Sequence, residues 1–341
     1  DDMNNEQKDI AEKIQTYIEK AENILLHCHP SPDPDSIGSV LAMKEYLESE
    51  GKAVTAIIGD SKYPENLSNL QIEKKILPKN FFEIDSKKYD LFLILDSSSK
   101  TQISRIGEVN FPKGMNTVVI DHHRTNEKFG DVNLIISNYA STTQILYELF
   151  KQWEVNISKD MALYLFLGLF ADTGGFKYLN STPEVLQMGA ELSLINPNYH
   201  KLVFDLENSR KPIEIEMMAL ALSSIQKYIN GKVVFTVIPL EEIVKRELDE
   251  SSAIEGLVPE TLRSVLGWEI VASLVEVEKG KTIVSLRTRD EEKYDMSKVV
   301  SIVGKDGGGH PGSAGTTIMK SAQTAVKELL QTIKKLYGDK L

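Results

Sequence analysis

Residues 23–35 read NILLHCHPSPDPD, and this stretch decides the fold. Asn23 to Cys28 has strand length and an apolar Ile-Leu-Leu centre, and reads as a buried strand. It stops at a loop, His29 to Asp35, in which every second residue is proline. Prolines at that spacing hold the chain extended and reduce the entropy it loses on folding. Ser36 reads as the N-cap of the next helix, which ends near Gly51.

Working outward, the same grammar repeats. A helical pattern over Glu6–Ala21 places Ile10, Ile14, Tyr17 and Ile18 on one face. Short strands are expected at Val54–Ile58, at Asp90–Leu95 running into Asp96, and at Asn116–Ile120 running into Asp121. Helical patterns follow at Ser141–Lys151 and Ser158–Phe170. Strands alternating with helices predict an α/β domain: a parallel sheet with helices on both faces. In such a sheet the ligand crevice lies outside the carboxyl ends of the strands. Polar residues just after three separate apolar runs could therefore meet in one crevice.

Beyond Leu194 the texture changes. Asn196-Pro197-Asn198 and then Pro212 interrupt the helical pattern, and strands return at Lys232–Ile238, Ile270–Val277 and Thr282–Leu286. The last two flank Glu278-Lys279-Gly280-Lys281, a hairpin turn by composition. The expected organisation is a catalytic domain over 1–195, a linker over 196–215 and a smaller α+β domain over 216–341.

Composition narrows the function. The 341 residues suffice for two cores, and 41% hydrophobic with 26% charged residues is globular. Lys and Arg number 39 against 50 Asp and Glu, a net charge of −11, so a long duplex-binding surface is not expected. A small anionic substrate is compatible, because metals and a few local cations override the global sign. Cys28 stands alone, which excludes an intrachain disulfide or a thiolate zinc cluster. No apolar run approaches the ~20 residues of a membrane span, and the polar N-terminus is unlike a secretory signal. A cytoplasmic protein without membrane contact is expected.

Five constellations could carry chemistry. His29, Asp33 and Asp35 share the proline loop, although a turn with helix-capping aspartates explains it alone. Asp121-His122-His123 follows a strand; neighbouring residues point to opposite sides, so one histidine joins Asp121 on a metal and the other meets substrate, unless the site is an ordinary surface turn. Asp96 precedes Ser97-Ser98-Ser99 and could equally be a plain helix cap. Asp172 follows the apolar helix LYLFLGLF, either as a loop residue or as a carboxylate in a partly dry crevice. Gly307-Gly308-Gly309-His310 could cradle an anion on backbone N–H groups, with Arg287 and Arg289 as forked donors, or be a flexible loop and a solvated strand edge. With His27 as a neighbour, these motifs take five of the six histidines. Carboxylates with a minority of imidazoles and no thiolate favour Mn²⁺ or Mg²⁺. Two ions sharing a carboxylate, typically ~3.5–4 Å apart, are the usual plan for phosphoryl hydrolysis.

In this order, HPSPDPDSIGS, LFLILDSSS, VVIDHHRTN and LFADTGGF resemble the four motifs of the DHH phosphoesterases, and GGGHPGSAG resembles the signature of their associated C-terminal domain. The resemblance spans nearly the whole chain, and the layout is most similar to the nanoRNase and pAp phosphatase branch. It implies two Mn²⁺ ions, with Mg²⁺ as a substitute: His29 and Asp33 on one, Asp35 and His122 on the other, Asp96 bridging and Asp172 completing the set. Asp121 would orient the histidines and His123 would face the scissile phosphate. Arg287, His310 and the Gly307–Gly309 backbone would grip the substrate from the second domain. The implied substrates are dinucleotides to short oligomers, cleaved to nucleoside 5′-monophosphates, and pAp. Hydrolysis of linear or cyclic dinucleotide signals, or a catalytically silent nucleotide-binding module, are the alternatives, and a homodimer is in keeping with the family. One departure is Gln144, where many relatives would carry an acid.

Overall fold

The computed structural model describes residues 3–248, 257–304 and 307–341. The chain divides into two units, Asp1–Ser209 and Arg210–Leu341, each with its own core.

The first unit holds five parallel strands: β1 (Asn23–His27), β2 (Ala53–Ile57), β3 (Leu91–Leu95), β4 (Asn116–Asp121) and β5 (Val132–Ile135). Their order is β2-β1-β3-β4-β5. The chain leaves β1 to one side to make β2 and returns to its other side for β3. The gap between the ends of β1 and β3 is therefore the topological switch point. Side chains alternate cleanly between the faces. Ile24, Leu26, Leu93, Leu95, Val118 and Ile120 enter the core shared with the helices, whereas Leu25, Phe92, Ile94 and Val119 enter a second cluster. Each such fully buried side chain contributes about 1.5–3 kcal/mol.

Helices α1 (Asn5–Lys20), α2 (Pro34–Ser49), α3 (Thr142–Gln152), α4 (Lys159–Asp172), α5 (Pro183–Ile195) and α6 (Tyr199–Glu207) belong to this unit. Residues of α1 to α6 join the first cluster. The opposite face is closed by Phe81, Ile103, Val109 and Met115, which come from short 3-10 turns and loops where α-helices were expected. The sequence reading also lacked β5, a four-residue strand too short to register as a periodic pattern. Helix α4 is apolar nearly all round, as a buried central helix must be. It meets α2 backbone to backbone: a Cβ added at Gly38 would lie 3.3 Å from Gly168 N and closer to the carbonyl oxygen of Tyr164.

Helix α2 begins one residue after Asp33, not after Ser36. The Asp33 carboxylate accepts from Ser36 N–H at 2.9 Å, and Pro34 occupies the first helical position, where no N–H is needed. Ser36 Oγ instead accepts from His29 N–H at 3.3 Å, tying the loop back onto the helix it precedes.

The second unit contains α7 (Pro212–Ser223), β6 (Ile225–Tyr228), β7 (Val233–Ile238), α8 (Leu240–Lys245), α9 (Leu257–Arg263), β8 (Ile270–Glu278), β9 (Lys281–Thr288), α10 (Met296–Val303), β10 (Gly308–His310), β11 (Ser313–Ile318) and α11 (Ala322–Tyr337). Its sheet runs β10-β11-β9-β8-β7-β6, and among the described residues β7 and β8 are the one parallel pair in it. The β8–β9 hairpin forms where the sequence placed it, with Gly280 at φ +75°. Strands β6, β10 and β11 were not anticipated; β10 is a three-residue Gly-Gly-His segment with little strand propensity, whereas β11 ends in a β-branched Thr-Thr-Ile run that favours a strand. Within the stretch 196–215 lie α6 and the first turn of α7.

Candidate metal centre

Every carboxylate and imidazole that the first four motifs contributed comes together at the carboxyl ends of β1, β3 and β4. His29 Nε2 lies 3.5 Å from Asp33 Oδ1 and 3.4 Å from Asp96 Oδ2. Asp35, His122 and Asp172 form a second group, with ligand atoms within 4.8 Å of one another. In it His122 Nε2 stands 3.4 Å from Asp172 Oδ2, and 3.7 Å from Asp96 Oδ1. Asp96 thus offers Oδ2 to one group and Oδ1 to the other. It occupies the left-handed region at φ +52°, a conformation costing a non-glycine residue about 1–3 kcal/mol. The cluster opens to solvent along Asp33, His123 and Asp172, whose side chains are 49, 33 and 22% exposed.

Asp121 is wholly buried and saturated with hydrogen bonds. Its Oδ1 accepts from the backbone N–H groups of His122 and His123, at 2.8 and 3.2 Å, and pairs with His123 Nδ1 at 2.7 Å. Its Oδ2 accepts from Asn126 Nδ2 at 2.7 Å, and the same amide donates to Ser97 O at 3.1 Å. Asn126 therefore fastens the end of β4 to the segment after β3. In the sequence Asn126 closes the run VVIDHHRTN, where no role for it stands out. Its signal was the spacing of an Asx turn, in which its Oδ1 accepts from Lys128 N–H at 2.7 Å.

A second overlooked pair is Thr142 and Thr143. Their N–H groups, at the start of α3, donate to the two oxygens of Asp35, at 2.7 and 3.0 Å. Gln144 is buried beside them and accepts from Ala140 N–H at 2.7 Å. The amide thus performs a capping role open equally to the acid expected there.

The electrostatics call for cations. Burial, reinforced by Asp96 and Asp33, holds the Asp35 carboxyl well above its usual range. Burial, with Asp35, Asp33 and Asp96, does the same to Asp172. Asp172 also ends α4, where the helix dipole disfavours a negative charge. Burial would lower the pKa of His29, but Asp33 and Asp96 outweigh it and push it up to about 11. His123 is carried to about 9 against burial, by Asp121 and Asp96. Burial keeps His122 below its ordinary value despite Asp96.

These residues fit a pair of divalent cations. Asp96 Oδ2 is buried and, among the described residues, accepts no hydrogen bond, so its lone pairs are held for another partner. Four carboxylates and two or three imidazoles without thiolate suit a hard or borderline ion such as Mn²⁺ or Mg²⁺. His27, by contrast, is a core residue: its Nδ1 lies 3.1 Å from Cys28 O, its ring packs edge-on against Phe92, and burial brings its pKa down to about 3.

The remaining sequence candidates lie in the second unit. Gly308–His310 is strand β10, paired with β11, rather than an open loop. Registers across β10, β11 and β9 align His310, Ser313 and Arg287 in one row, on one face. Gly307 and Gly309 are sterically required, because added Cβ atoms would come within 2.7 Å of Val300 O and of Ala314 Cα. Arg287 Nε donates to Glu260 Oε1 at 2.7 Å, and Arg289 Nη1 donates to Arg263 O at 2.6 Å.

No helix among the described residues is long and apolar enough to cross a membrane. Residues 23–169 match the DHH family, N-terminal domain, and residues 230–339 match the DHHA1 domain. The chain is 25% identical to the probable bifunctional oligoribonuclease and PAP phosphatase NrnA of Streptococcus mutans, over 96% of this chain and 98% of that protein. It is 27% identical to the bifunctional oligoribonuclease and PAP phosphatase NrnA of Thermus thermophilus, over 86% and 84% of the two chains. An exopolyphosphatase-related protein from Bacteroides fragilis shares the fold, with a TM-score of 0.87 over 97% of this chain and 96% of that one, at 24% identity. With both domains matched in order and the acidic and histidine side chains of the motifs gathered at one sheet edge, the chain belongs to the DHH superfamily of phosphoesterases.

Proposed function

We propose that this protein is a Mn²⁺-dependent phosphoesterase acting on dinucleotides to short oligonucleotides, releasing nucleoside 5′-monophosphates, and on the 3′-phosphate of pAp. The observation that carries the reading is Asp96, with one carboxylate oxygen in each of two adjoining ligand groups. His29 and Asp33 would hold one ion, and Asp35, His122 and Asp172 the other, with Asp96 shared. When bound, such a pair acidifies water at neutral pH and neutralises charge on the phosphoryl oxygens.

The chain's own groups supply orientation. Asp121 receives His123 Nδ1, which fixes the ring and favours its protonated form. His123 is the most exposed of the three imidazoles, at 33% against 11% for His122 and 13% for His29. It is the one a phosphoryl oxygen would meet, as an electrostatic stabiliser or proton donor. Substrate recognition by the second unit falls to the row His310, Ser313 and Arg287 with the adjoining glycines. The net charge of −11 supports a preference for short substrates, because long polyanions are repelled. The names of the two NrnA relatives support the substrate class.

The test is hydrolysis of an RNA dinucleotide, a ten-nucleotide RNA, pAp and a cyclic dinucleotide, with Mn²⁺, with Mg²⁺ and with EDTA. Metal-dependent loss of the dinucleotide and pAp, with weak action on the longer RNA, is the expected result. The assignment fails if only the cyclic dinucleotide is cleaved, or if none is cleaved although Mn²⁺ binds.

A further inference from the structure

The first turn of α3 joins two carboxylates that belong to different motifs. Thr142 N–H donates to Asp35 Oδ2 at 2.7 Å, while Thr142 Oγ1 donates to Asp96 Oδ1 at 3.1 Å. Thr143 holds the other oxygen of Asp35 twice, through N–H at 3.0 Å and Oγ1 at 2.9 Å. Asp35, Thr142 and Thr143 are fully buried, and Asp96 is 2% exposed. Both carboxylates therefore take their orientation from one residue and its neighbour, through charge-assisted bonds in a low dielectric.

Such control is needed because the terminal torsion of aspartate is broad and does not fix the carboxylate plane. A bridging carboxylate must keep one oxygen on each side. The Thr142 hydroxyl reaches Oδ1 and leaves Oδ2, buried and without a hydrogen bond among the described residues, toward His29.

We propose that Thr142 is a positioning residue of the two-metal centre: its hydroxyl sets the rotation of Asp96, and its N–H, with Thr143, sets Asp35. The inference rests on the two-metal reading above and adds to it a residue outside the ligand set. Thr142→Val keeps the shape and the N–H and removes the donor. Thr142→Ser keeps the donor, and Thr142→Ala repeats the deletion in a smaller side chain that fits the space.

Mn²⁺ binding by calorimetry, with apo melting in EDTA alongside, separates positioning from folding. Loss of the hydroxyl should weaken Mn²⁺ binding by about 10–100-fold, as removal of an outer-shell partner typically does, and lower kcat with KM little changed. Thr142→Ser should restore both. Wild-type Mn²⁺ affinity in Thr142→Val and Thr142→Ala overturns the proposal. So does Thr142→Ser binding as weakly as Thr142→Val, because the methyl group would then be what matters. If the wild-type chain itself fails to bind two Mn²⁺, the two-metal reading is what fails, and the inference goes with it.

Discussion

Gly168→Ala tests whether the backbone contact of α2 with α4 sets the geometry of the centre. An ideal Cβ at Gly168 would stand 2.6 Å from both Cγ2 and Oγ1 of Thr143, and closer still to Asp35 Oδ1. Ordinary contact begins near 3.4 Å, so the two Thr143 atoms must part from it by about 0.8 Å and Asp35 Oδ1 by more. Thr143 and Asp35 are fully buried and bonded to each other, which leaves them little room. Overpacking of this kind costs roughly 1–3 kcal/mol, and alanine in a helix interior offsets about 1 kcal/mol of it. The net loss of stability is therefore about 0–2 kcal/mol, a few degrees in melting temperature for a unit of this size. Catalysis should suffer more, because misplacing a reacting group by about 1 Å costs on the order of 100-fold. The assay is steady-state hydrolysis of an RNA dinucleotide with Mn²⁺, beside thermal unfolding in EDTA. A variant with kcat within about threefold of wild type would refute the reasoning, since Asp35 would then tolerate the displacement that the contact demands.

Removing Asn126 should act through Asp121. Asn126→Ala leaves a buried charged oxygen without its donor, costing about 1–3 kcal/mol, and Asn126→Asp, which sets a carboxylate against a carboxylate, should be worse in both melting temperature and kcat. Gln144→Glu should leave stability and activity near wild type, because a carboxylate can accept from Ala140 N–H as the amide does; a tenfold change in kcat would show that position 144 reaches the centre. Asp295 caps α10, accepting from Lys298 N–H at 3.3 Å and from the Ser297 hydroxyl. Burial would raise its pKa, but the Ser297 and Lys298 interactions hold it below the usual range, so its charge stabilises the fold above the unfolded pKa of about 3.9 and ceases to do so as pH falls through the lower folded value. Asp295→Ala should lose about 1 kcal/mol in denaturant unfolding at neutral pH, Asp295→Asn less, and the gap between wild type and Asp295→Asn should close below pH ~4.

Much of this protein is legible in its sequence because local elements are written locally. The runs NILLHC, DLFLIL and NTVVI have strand length and are each followed by a polar residue, which is enough to expect a parallel sheet with a crevice at its carboxyl edge. The same reading placed the β8–β9 hairpin from its lysine–glycine turn. It misjudged the start of α2, where Asp33 caps the helix and faces His29 at once, two roles that spacing presents as alternatives. It saw the glycines of 307–309 as loop or nest, whereas pairing with β11 makes Gly308–His310 a strand.

What the sequence alone determined was the set of chemically capable residues and the strand ends that carry them. Tertiary structure decided which of their atoms meet and what holds them in place. Asp35 is oriented by Thr143, 108 residues away in the chain, and Asp121 by an amide that also grips the segment after β3. The physical reason is that periodicity and propensity encode the elements, while a hydrogen bond across such a separation exists only once α2, α3 and α4 have packed to within atomic contact.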